Sequence, residues 1–381
     1  MQAVKADLLY TGKNEPPLRN VYIVFENTKI INITKEKPKC EIVDEAPVVT
    51  PAFIDAHSHI GLDRAGEPFA ETEVNEKFDS VVAIADALDS VYMDDKAFKE
   101  SIEYGVLYSC ILPGSGNIIG GKAAVIRNYA ETVDRAFIKY TGIKAALGFN
   151  PRSTTDWKGT RPSTRMGVLA LFRKTLMKAV KEKKLVEKGK KTADEVEPEI
   201  EALFPLLEGR LKLRVHVHKA DDVVSLIKLK KEFSLKLTAD HCCDLHFKYP
   251  FELLKKENVP IVYGPVDAFP YKTELKHESW KNIKYLIEVK PFYGLMTDHP
   301  VVLQRNLFLQ LRFWRRLGLS KEECISIITL NNAKILEVDN ILGSIEKDKW
   351  ASFILWNSDP FSLEAYPVAV YAEGKKIYEA K

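Results

Sequence analysis

The sequence predicts an α/β protein: a (β/α)8 barrel of the TIM type, with a small β-sandwich formed by both chain ends. Three observations carry this reading. Strand-like and helix-like segments alternate between about 51 and 335, the pattern of a parallel barrel. Both ends hold strand-like segments without helices. Several predicted strands end on histidine or aspartate, at the rim where barrels carry their chemistry. The boundaries read 1–50 for the first part of the sandwich, 51–339 for the barrel with a helical insertion near 152–210, and 340–381 for the second part of the sandwich.

Size and composition agree. The chain of 381 residues is long enough for a large barrel core and a small second unit. Its 56 basic and 53 acidic residues leave a net charge of +3, too balanced to favour nucleic acid or an anionic membrane surface. The five cysteines are odd in number and contain no Cys-x-x-Cys, so no disulfide framework is expected. The first residues lack a signal peptide's apolar core, and no run approaches the 18 or so apolar residues of a membrane span. A cytoplasmic protein with a small-molecule partner, assembled as a homo-oligomer, is expected.

Taken in order, the segments 6–10, 21–25 and 29–33 are short and apolar, punctuated by Gly12, Pro16, Pro17 and Asn27. The run 52–56 suits a buried strand, and His57 and His59 follow it. Side chains two apart on a strand share a face, so both imidazoles can reach one metal ion. Residues 61–100 are acidic, which suits a solvated loop or one wall of a site. A helix, a Gly105 stop and an apolar strand lead to the loop Pro113-Gly114-Ser115-Gly116-Asn117-Ile118-Ile119-Gly120-Gly121. That loop lacks the Lys-Ser/Thr ending of a phosphate-binding loop. The strand at 142–147 carries Lys144 within an apolar run, where a snorkelling lysine is one reading. Arg152, Arg161 and Arg165 crowd near its end. They are either surface arginines or parts of a lid that meets a substrate carboxylate. The charge alternation from 181 to 201 reads as an exposed helical insertion.

The strand 213–218 ends in a second His-x-His, His216 and His218, and the strand 235–241 ends on His241. One βα period separates them, as neighbouring barrel strands require. Predicted strands at 259–265 and 292–298 complete the barrel, the last ending on Asp298. Imidazoles plus carboxylate suit Zn²⁺ first, with Fe²⁺, Mn²⁺ or Co²⁺ as other fits.

The stretch Pro51-Ala52-Phe53-Ile54-Asp55-Ala56-His57-Ser58-His59 resembles the first-strand signature of the amidohydrolase superfamily, with Ala52 where a glycine is usual. The 112–121 loop is similar to a segment of the imidazolonepropionase-related branch. Thr297-Asp298, the run Thr329-Leu330-Asn331-Asn332-Ala333 and the tail 343–356 extend the resemblance. It implies a metal-dependent hydrolase of a C–N bond, acting on a cyclic amide, an imidazolone-like ring, an N-acyl amino acid or a dipeptide. A deaminase of a small heterocycle is the variant within that class, and a non-catalytic barrel is the alternative outside it.

The resemblance also implies roles. His57, His59, His216 and Asp298 become metal ligands, and Asp298 is also general base and then acid. His241 becomes a ligand to a second metal or a donor to the substrate oxygen. His218 contacts substrate or supports a ligand, and which of His216 and His218 binds metal stays open. Asn117 is brought towards the pocket. Lys144, on the fourth strand, becomes a candidate carbamate bridging two ions. Relatives often carry a glutamate where this chain has Phe149, so one tight metal is expected, with the carbamylated two-metal site as the alternative.

Overall fold

The computed structural model describes residues 1–381 apart from the side chain of Phe69. Strands β1 (Gln2–Leu9), β2 (Leu18–Glu26), β3 (Lys29–Thr34) and β4 (Glu41–Pro51) open the chain. The central strands are β5 (Phe53–Ser58), β6 (Val106–Ile111), β7 (Ile119–Arg127), β8 (Phe137–Ala146), β9 (Lys212–Val217), β10 (Leu237–His241), β11 (Ile261–Tyr263) and β12 (Tyr293–Leu295). Strands β13 (Phe353–Trp356), β14 (Pro367–Ala372) and β15 (Lys375–Glu379) follow. No helix among the described residues is long and apolar enough to cross a membrane.

The two chain ends form one seven-stranded sheet in the order β15-β14-β13-β4-β1-β2-β3. The expected sandwich is this single sheet curled on itself. At about 4.8 Å per strand, a flat sheet would hold β2 and β14 about 19 Å apart. Instead the rings of Phe25 on β2 and Tyr371 on β14 lie 5.9 Å apart, closing over a core that includes Val4, Ile23, Phe353 and Leu355. The central strand β4 has no clear sequence signal, because charged residues and Pro47 break its alternation.

Strands β5 to β12 make the barrel sheet. One strand departs from the parallel expectation: β7 runs antiparallel to both β6 and β8. The 112–118 connection is too short for the crossover of about a dozen residues that parallel pairing needs. The glycine-rich loop is therefore a hairpin connection over the barrel rim. Its backbone is held by the 61–90 segment, with Gly114 N donating to Val74 O at 2.7 Å and Gly116 N to Asn75 Oδ1 at 2.8 Å.

Helices cover the outside. Asp95 caps α1 (Lys96–Glu103) by accepting from Ala97 N at 3.0 Å. The 152–210 region is more than an exposed insertion. It contains α2 (Arg165–Glu187), which buries Val168, Phe172, Leu176 and Ala179 in the barrel core. Their spacing of three to four residues forms one helical stripe, while charges occupy the rest of the surface. Helix α3 (Ala220–Phe233) ends at Ser234 in the left-handed region, and α4 (Lys248–Lys256), α5 (Ile283–Val289) and α6 (Lys321–Ile328) follow.

The seam between β5 and β12 is closed partly by a side chain. Asn332, on α7 (Leu330–Leu336), donates to Ile54 O at 2.6 Å and Leu295 O at 2.8 Å and accepts from Leu295 N at 3.0 Å. A Cβ on Gly294 would lie 1.8 Å from Asn332 Oδ1, so glycine is required there. Past the strand ends, Asp298 N donates to His57 O at 3.0 Å and His59 N to His299 O at 3.1 Å.

Asn332→Ala strands a buried donor and two acceptors, at about 1–3 kcal/mol each when unmet. Urea unfolding should show a loss of at least about 3 kcal/mol. A loss below about 1 kcal/mol, the net worth of one ordinary hydrogen bond, would mean that the seam closes without this side chain.

Candidate metal centre

Strand register brings the polar residues to one rim. Arg214, His216 and His218 follow one another at every second position on and just after β9, and Asp240 on β10 pairs with His216. Simple alternation would send His241 to the face opposite Asp240. The backbone turns left-handed at His241, with φ of 80°, and again at Asp298, with φ of 50°. These bends re-aim both side chains towards the centre. Such backbone is costly for a residue with a Cβ and collects at functional sites.

Two trios result: His57, His59 and Asp298, the last partly exposed, and the buried His216, His218 and His241. Within each, one ligand atom per residue lies within 4.8 Å of the others. His57 and His241 link the trios, with ring centres 4.9 Å apart. Asp298 Oδ1 lies 3.2 Å from His59 Nε2 and 3.5 Å from His57 Nε2. Lys144, fully buried, places Nζ 3.2 Å from His57 Nε2.

Neighbouring groups set the tautomers. His57 Nδ1 donates to Asp240 Oδ2 at 2.8 Å, His59 Nδ1 to Leu112 O at 2.8 Å, and His241 Nδ1 to Gly264 O at 3.1 Å. Each bond leaves Nε2 without a proton, and at His57 that nitrogen faces Lys144 Nζ. His216 is turned the other way, with Nε2 3.1 Å from Glu274 Oε1 and Nδ1 unpartnered. His241 Nε2 and both ring nitrogens of His218 are likewise buried without a hydrogen bond. Buried polar atoms are rarely left so, and lone pairs converging from several imidazoles fit a divalent cation. His216 lies with His218 and His241, and not with His57, His59 and Asp298 as the resemblance implies.

Comparison with known proteins agrees with this architecture. A model of the amidohydrolase family matches residues 210–377. Amidohydrolase tasK of Hapsidospora irregularis is 26% identical over 94% of this chain, and the chain spans 40% of that relative's length. The imidazolonepropionase of Picrophilus torridus is 24% identical, with 92% of this chain and 89% of that protein covered. The crystal structure of an amidohydrolase from Thermotoga maritima superposes over the whole of both chains, with a TM-score of 0.93 and 31% identity. The chain belongs to the amidohydrolase family. It is a metal-dependent hydrolase of that family with histidine-rich, buried metal-binding groups, and the two trios are consistent with a binuclear site.

In this amidohydrolase a pocket opens over Asp298 and is lined by His218, His241, Phe269, Tyr271 and Lys272, among others. Of the other residues singled out from the sequence, Asn117 and Arg165 have protein partners, whereas the buried Arg152 Nε has no hydrogen-bond partner. Asn117 donates to Glu76 O at 2.9 Å and accepts from Arg161 Nη1 at 2.9 Å. Arg165 pairs with Asp222 through Nε at 2.8 Å. The Arg152 guanidinium lies 5.2 Å from the Phe149 ring centre.

Several further residues around the site stand outside the set the sequence points to. Arg214 and Asp240 form a buried pair at 3.1 Å, and Arg214 Nη2 also donates to Ala56 O at 2.7 Å. Charged residues at inward positions of apolar strands were the available signal. Asp55 accepts from Thr297 N at 3.1 Å and from Gln304 Nε2 at 3.0 Å. Glu274 accepts from Phe149 N at 2.9 Å and pairs with Lys272 at 2.8 Å. A Cβ on Gly148, whose φ is +80°, would lie 2.6 Å from Glu274 Oε2. Glu274 lies in a single 3-10 turn, Thr273–Leu275, too short to show a periodicity.

Burial governs the ionisation of the site. Burial, with Lys144 adding to it, lowers the His57 pKa to about 3. His216, His218 and His241 are also lowered well below their ordinary value, chiefly by burial. Burial brings Lys144 to about 8, against the pull of Asp298 and Asp240. Burial would raise the Asp298 carboxyl, but the neighbouring His241, His59 and His57 hold it well below its ordinary value.

Two outcomes follow. Asp240→Asn should weaken metal affinity by about 10–100-fold, because His57 loses the negatively charged acceptor that fixes its tautomer and raises its basicity. Competition with a chromophoric chelator measures this, and circular dichroism checks the fold. The second concerns pH. An unfolded histidine titrates near 6.5, whereas folded His57 titrates near 3. Between these values the unfolded chain binds the extra proton, so the stabilising contribution is complete above pH 6.5 and is lost towards pH 3. Chelator-treated protein should show urea midpoints that fall from about pH 6.5 downwards, and constant midpoints across that interval would contradict the assignment.

Proposed function

We propose that this amidohydrolase hydrolyses a C–N bond in a small cyclic amide, an imidazolone-like ring, an N-acyl amino acid or a dipeptide. Two ions would be held, one by His57, His59 and Asp298 and one by His216 or His218 with His241, and a carbamate on Lys144 would add an anionic ligand to the centre. The observation that carries this reading is the position of Lys144 Nζ, buried and 3.2 Å from His57 Nε2. An ammonium there would repel a cation at the same nitrogen. Loss of a proton and addition of CO₂ convert it into an anionic carbamate with two oxygens, releasing a further proton.

A bound divalent ion supplies Lewis acidity, lowering the pKa of water to about 7 and polarising a carbonyl. The protein's own residues manage binding and proton movement. Asp298 accepts a proton from the attacking water as the new C–O bond forms. It returns that proton to the leaving nitrogen as the C–N bond breaks. Where His216 is the ligand, His218, whose ring nitrogens form no hydrogen bond with the protein, holds the substrate oxygen. Phe269 and Tyr271 give the pocket an apolar wall suited to a ring or an acyl chain. The likeness to an imidazolonepropionase supports an imidazolone-like substrate within this class.

The test uses protein produced with excess zinc and bicarbonate. Wild type should retain two tightly held metals, and Lys144→Ala should lose one or both. A panel of cyclic amides, N-acyl amino acids and dipeptides should show turnover that Asp298→Asn abolishes. Ammonia release from aminated heterocycles alone would make the enzyme a deaminase. Full metal and rate in Lys144→Ala would remove the carbamate.

A further inference from the structure

A third group of ligand-type side chains lies beside pocket-lining residues, with Asp244 next to Cys243 and His277 next to Glu278 in the chain. Asp244 follows the strand-end His241, His246 stands two residues on, and His277 comes from the segment after Glu274. One ligand atom from each lies within 4.8 Å of the other two. Asp244 is buried, while both histidines are exposed.

The arrangement is preformed. His277 N donates to Asp244 Oδ1 at 2.5 Å, which fixes the carboxylate. His246 Nδ1 donates to Asp244 O at 2.9 Å, which leaves its Nε2 free. The two imidazoles lie with ring centres 4.1 Å apart and planes inclined by 31°. His277 Nδ1 stands 3.4 Å from Asp244 Oδ2. Ligands at about 2.1 Å from a tetrahedral ion are separated by about 3.4 Å, so this edge already has the required length.

We propose that Asp244, His246 and His277 form a peripheral site for a divalent transition-metal ion, separate from the other two trios. Two imidazoles and one carboxylate suit Zn²⁺, Ni²⁺ or Cu²⁺. Three protein ligands with solvent on the open side make an exchangeable site rather than a closed structural one. Lys219 Nζ, 3.1 Å from Asp244 Oδ2, competes for the same oxygen and weakens the site. The ion joins the segment after His241 to the segment that carries Lys272 and Glu274. Tyr271, Lys272, Leu275 and Glu278 of the latter line the pocket, so occupancy fixes one wall of the entrance. This inference is independent of the substrate class.

The test starts from metal-loaded protein freed of loosely held ions by gel filtration. Equilibrium dialysis against Zn²⁺ should add one further equivalent. His246→Ala and His277→Gln should each abolish it while keeping the tightly held metal and the thermal midpoint of wild type. Lys219→Met should bind the extra ion more tightly than wild type. Absence of the further equivalent, or its survival in both histidine variants, would overturn the proposal and leave the trio as a hydrogen-bonded bracket between two loops.

Discussion

The site depends first on one buried carboxylate. Asp240 sits between the Arg214 guanidinium at 3.1 Å and the His57 ring at 2.8 Å, all three inaccessible to water. Desolvating the two ions is expensive, and their mutual attraction offsets this only with further hydrogen bonds. Those bonds are present: Thr238 Oγ1 donates to Asp240 Oδ1 at 2.6 Å, and Arg214 Nη2 reaches Ala56 O. The pair thereby ties β5, β9 and β10 together beneath the metal-binding residues. It also supplies the negative charge that decides which nitrogen of His57 carries the proton. Packing and chemistry are coupled here, because the group that orients the imidazole also joins the barrel staves.

A second network supports the other flank. Asp55 and Gln304 bridge the first strand to the segment after the last one, and Gln304 also reaches Ser58, Ser109 and Asn128. Burial pushes the Asp55 carboxyl up to about 6, against the hydrogen bonds from Thr297 and Gln304. These side chains lie below the histidines and hold Thr297-Asp298 against the first strand. The metal-binding face therefore rests on a floor of fixed donors and acceptors, which favours a rigid geometry.

Much of this was legible in the sequence. His57, His59, His216 and His241 could be found because strand periodicity and apolar runs mark where a strand leaves the core. Asp298 could be found at the end of the last such run. The reversal of β7 was hidden because an apolar strand carries no mark of direction, and only the short 112–118 connection hints at it. Strand β4 was hidden by Pro47 and its charges. Glu274 reaches His216 from a remote turn, a contact that no local pattern encodes. Lys144 could be noticed as a charge in an apolar strand, yet its distance from His57 depends on closure of the whole barrel. Helix α2 was obscured because its buried stripe is narrow beside a surface rich in lysine and glutamate.

The seam closed by Asn332 also orders events in time. Its bond to Ile54 spans 278 residues of chain, and the bond from Thr297 to Asp55 spans 242. Contacts between such distant positions carry the largest loop-closure cost and tend to delay folding. The strands from β6 to β11 can pair with near neighbours before that closure, but the His57, His59 and Asp298 trio cannot exist until the first and last staves meet. Assembly of that trio therefore reports completion of the barrel, and a chain stalled before closure would carry most of its sheet without it.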